Sequence, residues 1–274
     1  MSSEKKALFL DLDGTLLNDK KEITPGNYHA IRQALGEGHK IIIATGRPLA
    51  SAIKQAERLG LTEKGCYVIS FNGGVIFDMG NQEVITSHAI PLAVVAEIFR
   101  EANKRNIHIQ TYTADHVVVE ARCDDDQVRT YCNRSNINYE VLPDISHLYD
   151  APPKMLTIDY ESGEALTEFR DWINEHCSEE LDSFFSATCY LEIVPKGINK
   201  GRALLDLSAA LGIPVEATIA AGDEANDIPM IKTAGLGVCM ENGIPEAKAV
   251  ADYITLADNN QNGIAEVINT FMLN

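Results

Sequence analysis

The sequence predicts an α/β protein in which a doubly wound, Rossmann-like parallel sheet is interrupted by a second α/β domain. Three observations carry this reading. At the front of the chain, short apolar runs alternate with amphipathic helical stretches: ALFLDLD (7–13), KIIIATG (40–46) and CYVISFNGG (66–74). The last third repeats the same grammar in ATIAAGDEAND (217–227) and GLGVCM (235–240). Runs that are apolar at successive positions mark strands buried on both faces, the situation of a parallel sheet covered by helices. Between them the pattern changes to adjacent strand pairs, which points to antiparallel sheet.

Taken in order, helices are expected over about 25–37 and 48–59 between the first three strands. The middle, 88–196, opens with a helix over 92–105, followed by the runs IHIQTYT and HVVVEA as a hairpin across Ala114-Asp115. A helix over 124–135, the strand YEVL, the strand MLTIDY, a helix over 163–176 and the pair DSFFSAT and YLEIVP complete it. The core resumes with a helix over 200–212, a short helix through 230–234, a helix around 245–249, a strand over 251–256 and a last helix from about Gly263. The expected division is a core of 1–87 and 197–274 with an inserted domain of 88–196, an arrangement tolerated because the ends of a domain often lie close together.

Of the 274 residues, 23 are Lys or Arg and 40 are Asp or Glu, a net charge of −17. Nucleic-acid binders draw affinity from cations that neutralise phosphates, and anionic membrane surfaces select for the same charge, so neither partner is expected. No apolar stretch approaches the ~20 residues of a membrane span. Asp11 interrupts the first apolar run too early for a signal peptide. The six cysteines form no CxxC pair and read as reduced thiols, with the cytoplasm as the expected location. HExxH, GxSxG, Walker and GxGxxG patterns are all absent from the sequence.

Four segments place chemistry at strand ends, where open α/β sheets bind ligands. Asp11-Leu12-Asp13-Gly14-Thr15 closes the first strand. Asp11, Asp13 and Glu22 also fall at positions 1, 3 and 12 of a calcium loop, but position 6 is Leu16 rather than glycine and a strand precedes it. Thr45, Gly46 and Arg47 follow the second strand with a hydroxyl and backbone N–H groups suited to phosphate. Lys200, in PKGINKG, opens a helix at the return from the inserted domain, and Asp223 ends a strand in GDEAND with Asn226 and Asp227 close behind. Each segment alone also reads as an ordinary turn, cap or solvated charge.

In this order the segments resemble the haloacid dehalogenase superfamily, whose site combines DxD, a strand-end Thr or Ser, a Lys and GDxxND. ATGRP, FNGG and YLEIVPKGINKG further resemble its Cof-type sugar-phosphatase branch, and within it the YidA-like phosphatases. The resemblance spans the whole chain and implies that the inserted domain is that branch's α/β (type C2) cap. It implies a Mg2+-dependent phosphatase of small phosphate monoesters, sugar phosphates above all, working through an aspartyl-phosphate. Asp11 would be the nucleophile, and Asp13 would protonate the leaving alcohol and then deprotonate the attacking water. Asp11, the backbone carbonyl of Asp13 and Asp223 would hold Mg2+. Leu12 and Gly46 through their N–H groups, with Thr45, Lys200 and Asn226, would bind the phosphoryl oxygens, and Asp227 would orient Lys200 or a metal-bound water. Arg47, Asn72 and Glu192 are candidate substrate contacts, although Asn72-Gly73-Gly74 also reads as a turn and Glu192 as an outward strand residue. Tyr112 and Tyr190 are expected to pack the cap sheet. A phosphomutase or a non-catalytic sugar-phosphate sensor would share these features, and the chain is expected to be a monomer or a homodimer.

Overall fold

The structure, a computed structural model, describes residues 5–161 and 163–273. Its opening elements are β1 (Ala7–Leu10), α1 (Pro25–Gly36), β2 (Lys40–Ala44), α2 (Leu49–Arg58), β3 (Cys66–Ser70), β4 (Val75–Asp78) and β5 (Glu83–Ser87). The middle runs α3 (Leu92–Lys104), β6 (His108–Tyr112), β7 (His116–Glu120), α4 (Asp126–Ser135), β8 (Asn138–Leu142), β9 (Met155–Ile158), α5 (Glu164–His176), β10 (Leu181–Ala187) and β11 (Tyr190–Pro195). The chain closes with α6 (Lys200–Leu211), β12 (Thr218–Gly222), α7 (Ile228–Thr233), β13 (Leu236–Cys239), α8 (Pro245–Lys248), β14 (Tyr253–Ile254) and α9 (Gly263–Phe271). Two compact units result. One takes the chain up to Gly46, Ala52–Thr86 and everything from Asn199 on, and the other takes Arg47–Ser51 and Ser87–Ile198. The expected limits of the insertion, 88 and 196, lie inside this second unit, which also takes in Arg47–Ser51.

The first unit is built on an eight-stranded sheet in the order β14-β13-β12-β1-β2-β3-β4-β5. From β14 to β3 all neighbours are parallel. The central strands are buried along their length, as their continuous apolar runs require: every residue of β1, β3 and β12 is buried. Phe9, Ile42 and Ile69 pack with Leu204 and Leu207 of α6 and Met230 of α7 into one core cluster. Because the chain steps outward from β1 to β2 and β3, then returns to the other side of β1 at β12, strand order reverses between β1 and β12. That reversal opens a crevice at their carboxyl ends.

The sheet also has an antiparallel edge. The third strand stops at Ser70, FNGG turns as its Asn-Gly-Gly suggests, and the chain reverses into β4, which pairs antiparallel with β3. Phe71, Asn72 and Gly73 all take left-handed φ values, +53°, +57° and +114°, and it is this turn that re-aims the backbone. β4 and β5 therefore give an otherwise parallel sheet a mixed edge, and the outermost strand β5 is largely exposed.

The second unit carries a six-stranded sheet in the order β10-β11-β9-β6-β7-β8. Its pairs are antiparallel, as the hairpin reading anticipates, except that β8 lies parallel to β7. The exception follows from the connection, since α4 carries the chain back to the starting end and so returns it in the same direction. Asp125 caps α4 by accepting the N–H groups of Gln127 and Val128. All six cysteines are free thiols. Among the described residues no helix is long and apolar enough to cross a membrane.

Candidate active site

The first unit's site begins where β1 ends. The Asp11 N–H donates to the Ala221 carbonyl at 3.0 Å, extending the ladder one residue past the strand. A wide turn follows, in which Leu16 N–H donates to the Asp11 carbonyl (3.3 Å) and Leu17 N–H to the Leu12 carbonyl (2.8 Å). These i to i+5 bonds close the turn that carries the DLDGT segment. Leu12, Leu16 and Leu17 are fully buried and pin the turn from beneath. Gly14 sits at φ +88°, and a Cβ there would lie 2.2 Å from Asp223 Oδ2. Glycine is thus what lets the carboxylate at the end of β12 lie against the turn after β1.

Around that contact the charges converge. Lys200 Nζ, wholly buried, donates to Asp11 Oδ1 at 2.6 Å and to Asp227 Oδ1 at 2.5 Å. Asn199 caps α6 through the Arg202 N–H and so fixes where Lys200 departs. Asp227 Oδ2 accepts the backbone N–H groups of Asp223 and Glu224, both at 3.0 Å. Asp223 Oδ1 accepts the Thr15 hydroxyl at 2.7 Å. Oxygens of Asp11, Asp223 and Asp227 all lie within 4.8 Å of one another.

Two carboxylates thus share one lysine, with a third, Asp223, beside them. Burial, reinforced by Asp227 and Asp223, pushes the Asp11 carboxyl above the usual carboxylate range even though Lys200 pulls the other way. Asp223 is raised to about 7, by burial first and then by its acidic neighbours. Burial works against the Lys200 ammonium too, but Asp11 and Asp227 more than reverse it and hold it protonated. The surplus of negative charge is what a divalent cation would neutralise. The donor chemistry fits one: Asp11 and Asp223 each spend one oxygen on a hydrogen bond among the described residues, leaving the other for a hard, oxygen-seeking ion. Both oxygens of Asp227 are already taken. They are spent on Lys200 and on the Asp223 and Glu224 N–H groups.

Thr45 and Gly46 follow β2 in the same unit, with the Thr45 N–H on the Ile69 carbonyl (2.9 Å) and the Thr45 carbonyl accepting the Asn72 N–H (3.1 Å). Asn226, expected to face phosphate, gives its Nδ2 to Asn72 Oδ1 at 3.1 Å. The Asp13 carboxylate is partly exposed and paired with Lys21 at 2.8 Å. Arg47 is half-buried and groups with the second unit. Glu192 does not read as an outward strand residue: it is buried, 2.7 Å from Lys154, and accepts the Ser186 hydroxyl at 2.8 Å. Tyr112 is fully buried in the cap sheet.

Sequence reasoning assigned no role to Thr15, Lys21 or Lys154. Thr15 stood inside the DLDGT motif and was legible there as a hydroxyl next to the acids. Lys21 and Lys154 carried no such signal, because their partners are set by the loop after β1 and by cross-strand packing.

A family model described as haloacid dehalogenase-like hydrolase matches residues 8–268. A 5-amino-6-(5-phospho-D-ribitylamino)uracil phosphatase of Bacillus subtilis (strain 168) is 32% identical, over 98% of this chain and 96% of its own. A haloacid dehalogenase-like hydrolase from Bacteroides thetaiotaomicron has a similar crystal structure, with TM-score 0.88 and 31% identity over 97% of this chain and 99% of that one. A solved sugar phosphatase of HAD subclass IIB superposes with TM-score 0.81 at 25% identity, covering 97% of this chain and 99% of that one.

Proposed function

The chain belongs to the haloacid dehalogenase-like hydrolases and is a phosphatase, and from that premise we propose that it hydrolyses sugar phosphates and related small monoesters with Mg2+ through an aspartyl-phosphate on Asp11. The observation that carries the reading is the buried group of Asp11, Asp223 and Asp227 around Lys200. Its excess negative charge would repel a phosphate dianion, so the site is fitted to work with a cation. When bound, Mg2+ supplies charge neutralisation for the approaching phosphoryl group.

The remaining work falls to the chain's own groups. The Asp11 carboxylate attacks phosphorus as the bond from phosphorus to the alcohol oxygen breaks, and the Asp13 carboxylic acid gives its proton to that oxygen. Asp13, now ionised, takes a proton from water as the water oxygen attacks the aspartyl-phosphate, releasing inorganic phosphate and restoring Asp11. Lys200, the Thr45 hydroxyl, the Leu12 and Gly46 N–H groups and Asn226 hold the phosphoryl oxygens while charge develops on them. Asp227 keeps Lys200 in place. Sugar phosphates are favoured because one relative is named as a sugar phosphatase and another for a phosphorylated ribityl compound.

The test is phosphate release from a panel of monoesters with and without Mg2+, comparing wild type with Asp11→Asn. A loss of about 10³-fold or more in the variant is expected. Equal rates in the two proteins would rule out the covalent route, and a preference for non-sugar monoesters would remove the substrate class.

A further inference from the structure

The turn that ends β3 stores strain beside the phosphate loop. Left-handed backbone suits glycine and is tolerated by asparagine such as Asn72, but it is unfavourable for a bulky residue, and Phe71 adopts it. The turn is held from several sides. A Cβ on Gly73 would come 2.5 Å from the carbonyl oxygen of Asn199, the residue that caps the helix bearing Lys200. The Asn72 N–H is bound to the Thr45 carbonyl, and its Oδ1 accepts from Asn226.

These contacts orient the Asn72 carboxamide and leave one group over. The residue is 2% exposed, and its Nδ2 has no hydrogen-bond acceptor among the described residues. A buried amide donor without an acceptor is destabilising and rare in folded proteins. The carboxamide borders Gly46, where a Cβ would lie 3.0 Å from Oδ1 and 3.1 Å from Nδ2. Glycine at 46 keeps the space beside the amide clear, next to the backbone N–H assigned above to the phosphoryl group.

We propose that Asn72 is a phosphoryl-binding residue, its Nδ2 donating to a non-bridging oxygen of the bound monoester and of inorganic phosphate. The inference rests on the placement of the phosphoryl group over Thr45 and Gly46 given under Proposed function. A donor held in place with no partner to give up is pre-organised, so binding requires no bond to be broken first. It also adds a hydrogen bond without adding charge, in a site whose lysine already spends two of its three N–H donors on carboxylates.

The probes are inorganic phosphate as inhibitor and p-nitrophenyl phosphate as substrate, with the Mg2+-loaded full chain. Asn72→Gly removes the amide while tolerating the left-handed backbone. Asn72→Asp keeps the acceptor for Asn226 but replaces the donor by an anion. The phosphate inhibition constant is expected to rise about 10- to 100-fold in Asn72→Gly and further in Asn72→Asp, with kcat/KM falling in parallel. Phosphate should raise the melting temperature of wild type but not of either variant, and this readout needs no turnover. Folded Asn72→Gly with an unchanged inhibition constant, or Asn72→Asp binding phosphate as well as wild type, would overturn the proposal and reduce Asn72 to a support for Asn226. Wild type that bound phosphate without hydrolysing any monoester would instead overturn the catalytic reading and leave the Asn72 contact to be decided by the thermal shift.

Discussion

Lys200 in the first unit and Lys154 in the second are both fully buried, and the way each is balanced separates a site from a structural pair. Lys154 Nζ lies 2.7 Å from Glu192 Oε2 and 5.1 Å from the centre of the Tyr112 ring. One cation meets one anion over an aromatic face, and the group is neutral by itself. Lys200 meets Asp11 and Asp227 directly, with Asp223 beside them. There the ionised groups do not cancel, and the excess is met by protons held on the raised Asp11 and Asp223 carboxyls or would be met by a bound cation. A buried ion pair is weak evidence for stability or for function, but a buried cluster whose charges do not sum to zero points outward to a ligand.

The largest effects should come from breaking the two clusters in parallel. Lys200→Met is expected to lower kcat/KM for phosphate release by about 10²- to 10³-fold, since it removes a cation from the site where phosphoryl charge develops. Lys154→Met should destabilise the fold by about 3–5 kcal/mol by leaving Glu192 buried and unpaired, whereas Lys154→Met combined with Glu192→Leu should restore stability or raise it by about 1–4 kcal/mol. Urea melts and phosphate assays on the same proteins decide between these. A double variant that folds well but has lost all turnover would show that the second unit's pair is functional after all.

A smaller effect is expected at Thr15, whose hydroxyl donates to the candidate metal carboxylate Asp223. Thr15→Val should raise the Mg2+ concentration for half-activation by about 10- to 100-fold, with turnover recovered at saturating Mg2+. If saturating Mg2+ failed to recover turnover, Thr15 would be acting on something other than Asp223.

Next in size is the pH dependence of stability. Asp223 titrates near 7 in the metal-free fold and Asp11 is raised as well, while an unfolded aspartate titrates near about 3.9. The fold therefore keeps protons that the unfolded chain has released, and stability falls as pH rises from about 4 to about 8. Mg2+ favours the ionised carboxylates and should flatten that slope. Urea midpoints at about pH 5 and about pH 8, with EDTA or with Mg2+, measure it, and Asp223→Asn should remove part of the EDTA slope. A slope equal in wild type and Asp223→Asn would locate the titration elsewhere.

The smallest effect lies with Lys154, whose pKa is raised by Glu192 against the opposing pull of burial. Its stabilisation is complete below the unfolded lysine value of about 10.4 and is lost as pH rises through the higher folded value. Wild type should therefore lose stability at strongly alkaline pH relative to the Lys154→Met, Glu192→Leu protein. Parallel alkaline melts of the two would count against the pair as the cause.

Much of the architecture was legible because continuous apolar runs have few homes other than strands covered on both sides. ALFL, KIII and ATIAAG could sit only in the middle of such a sheet, and the motifs that follow them then arrive at its carboxyl edge. The mixed edge was harder to see. Asn72-Gly73-Gly74 reads as a turn, but the reversal into VIFD as an antiparallel strand also depends on Phe71 entering a left-handed conformation that its residue type does not announce.

What the sequence by itself determined, then, was which residues reach the crevice: Asp11, Thr45, Lys200 and Asp223 each stand within a residue or two of an element end, and element ends are set by local pattern. What only the tertiary structure decided was how they divide their bonds. Thr15 finds Asp223 across 208 positions of chain and Lys200 finds Asp227 across 27. Asn226 turns to Asn72 and Glu192 to Lys154. Those pairings depend on strand register and on glycines that let groups approach to a few ångströms, as Gly14 does for Asp223. Chain order carries no record of such distances, because a hydrogen bond is won by whichever acceptor packing brings within reach.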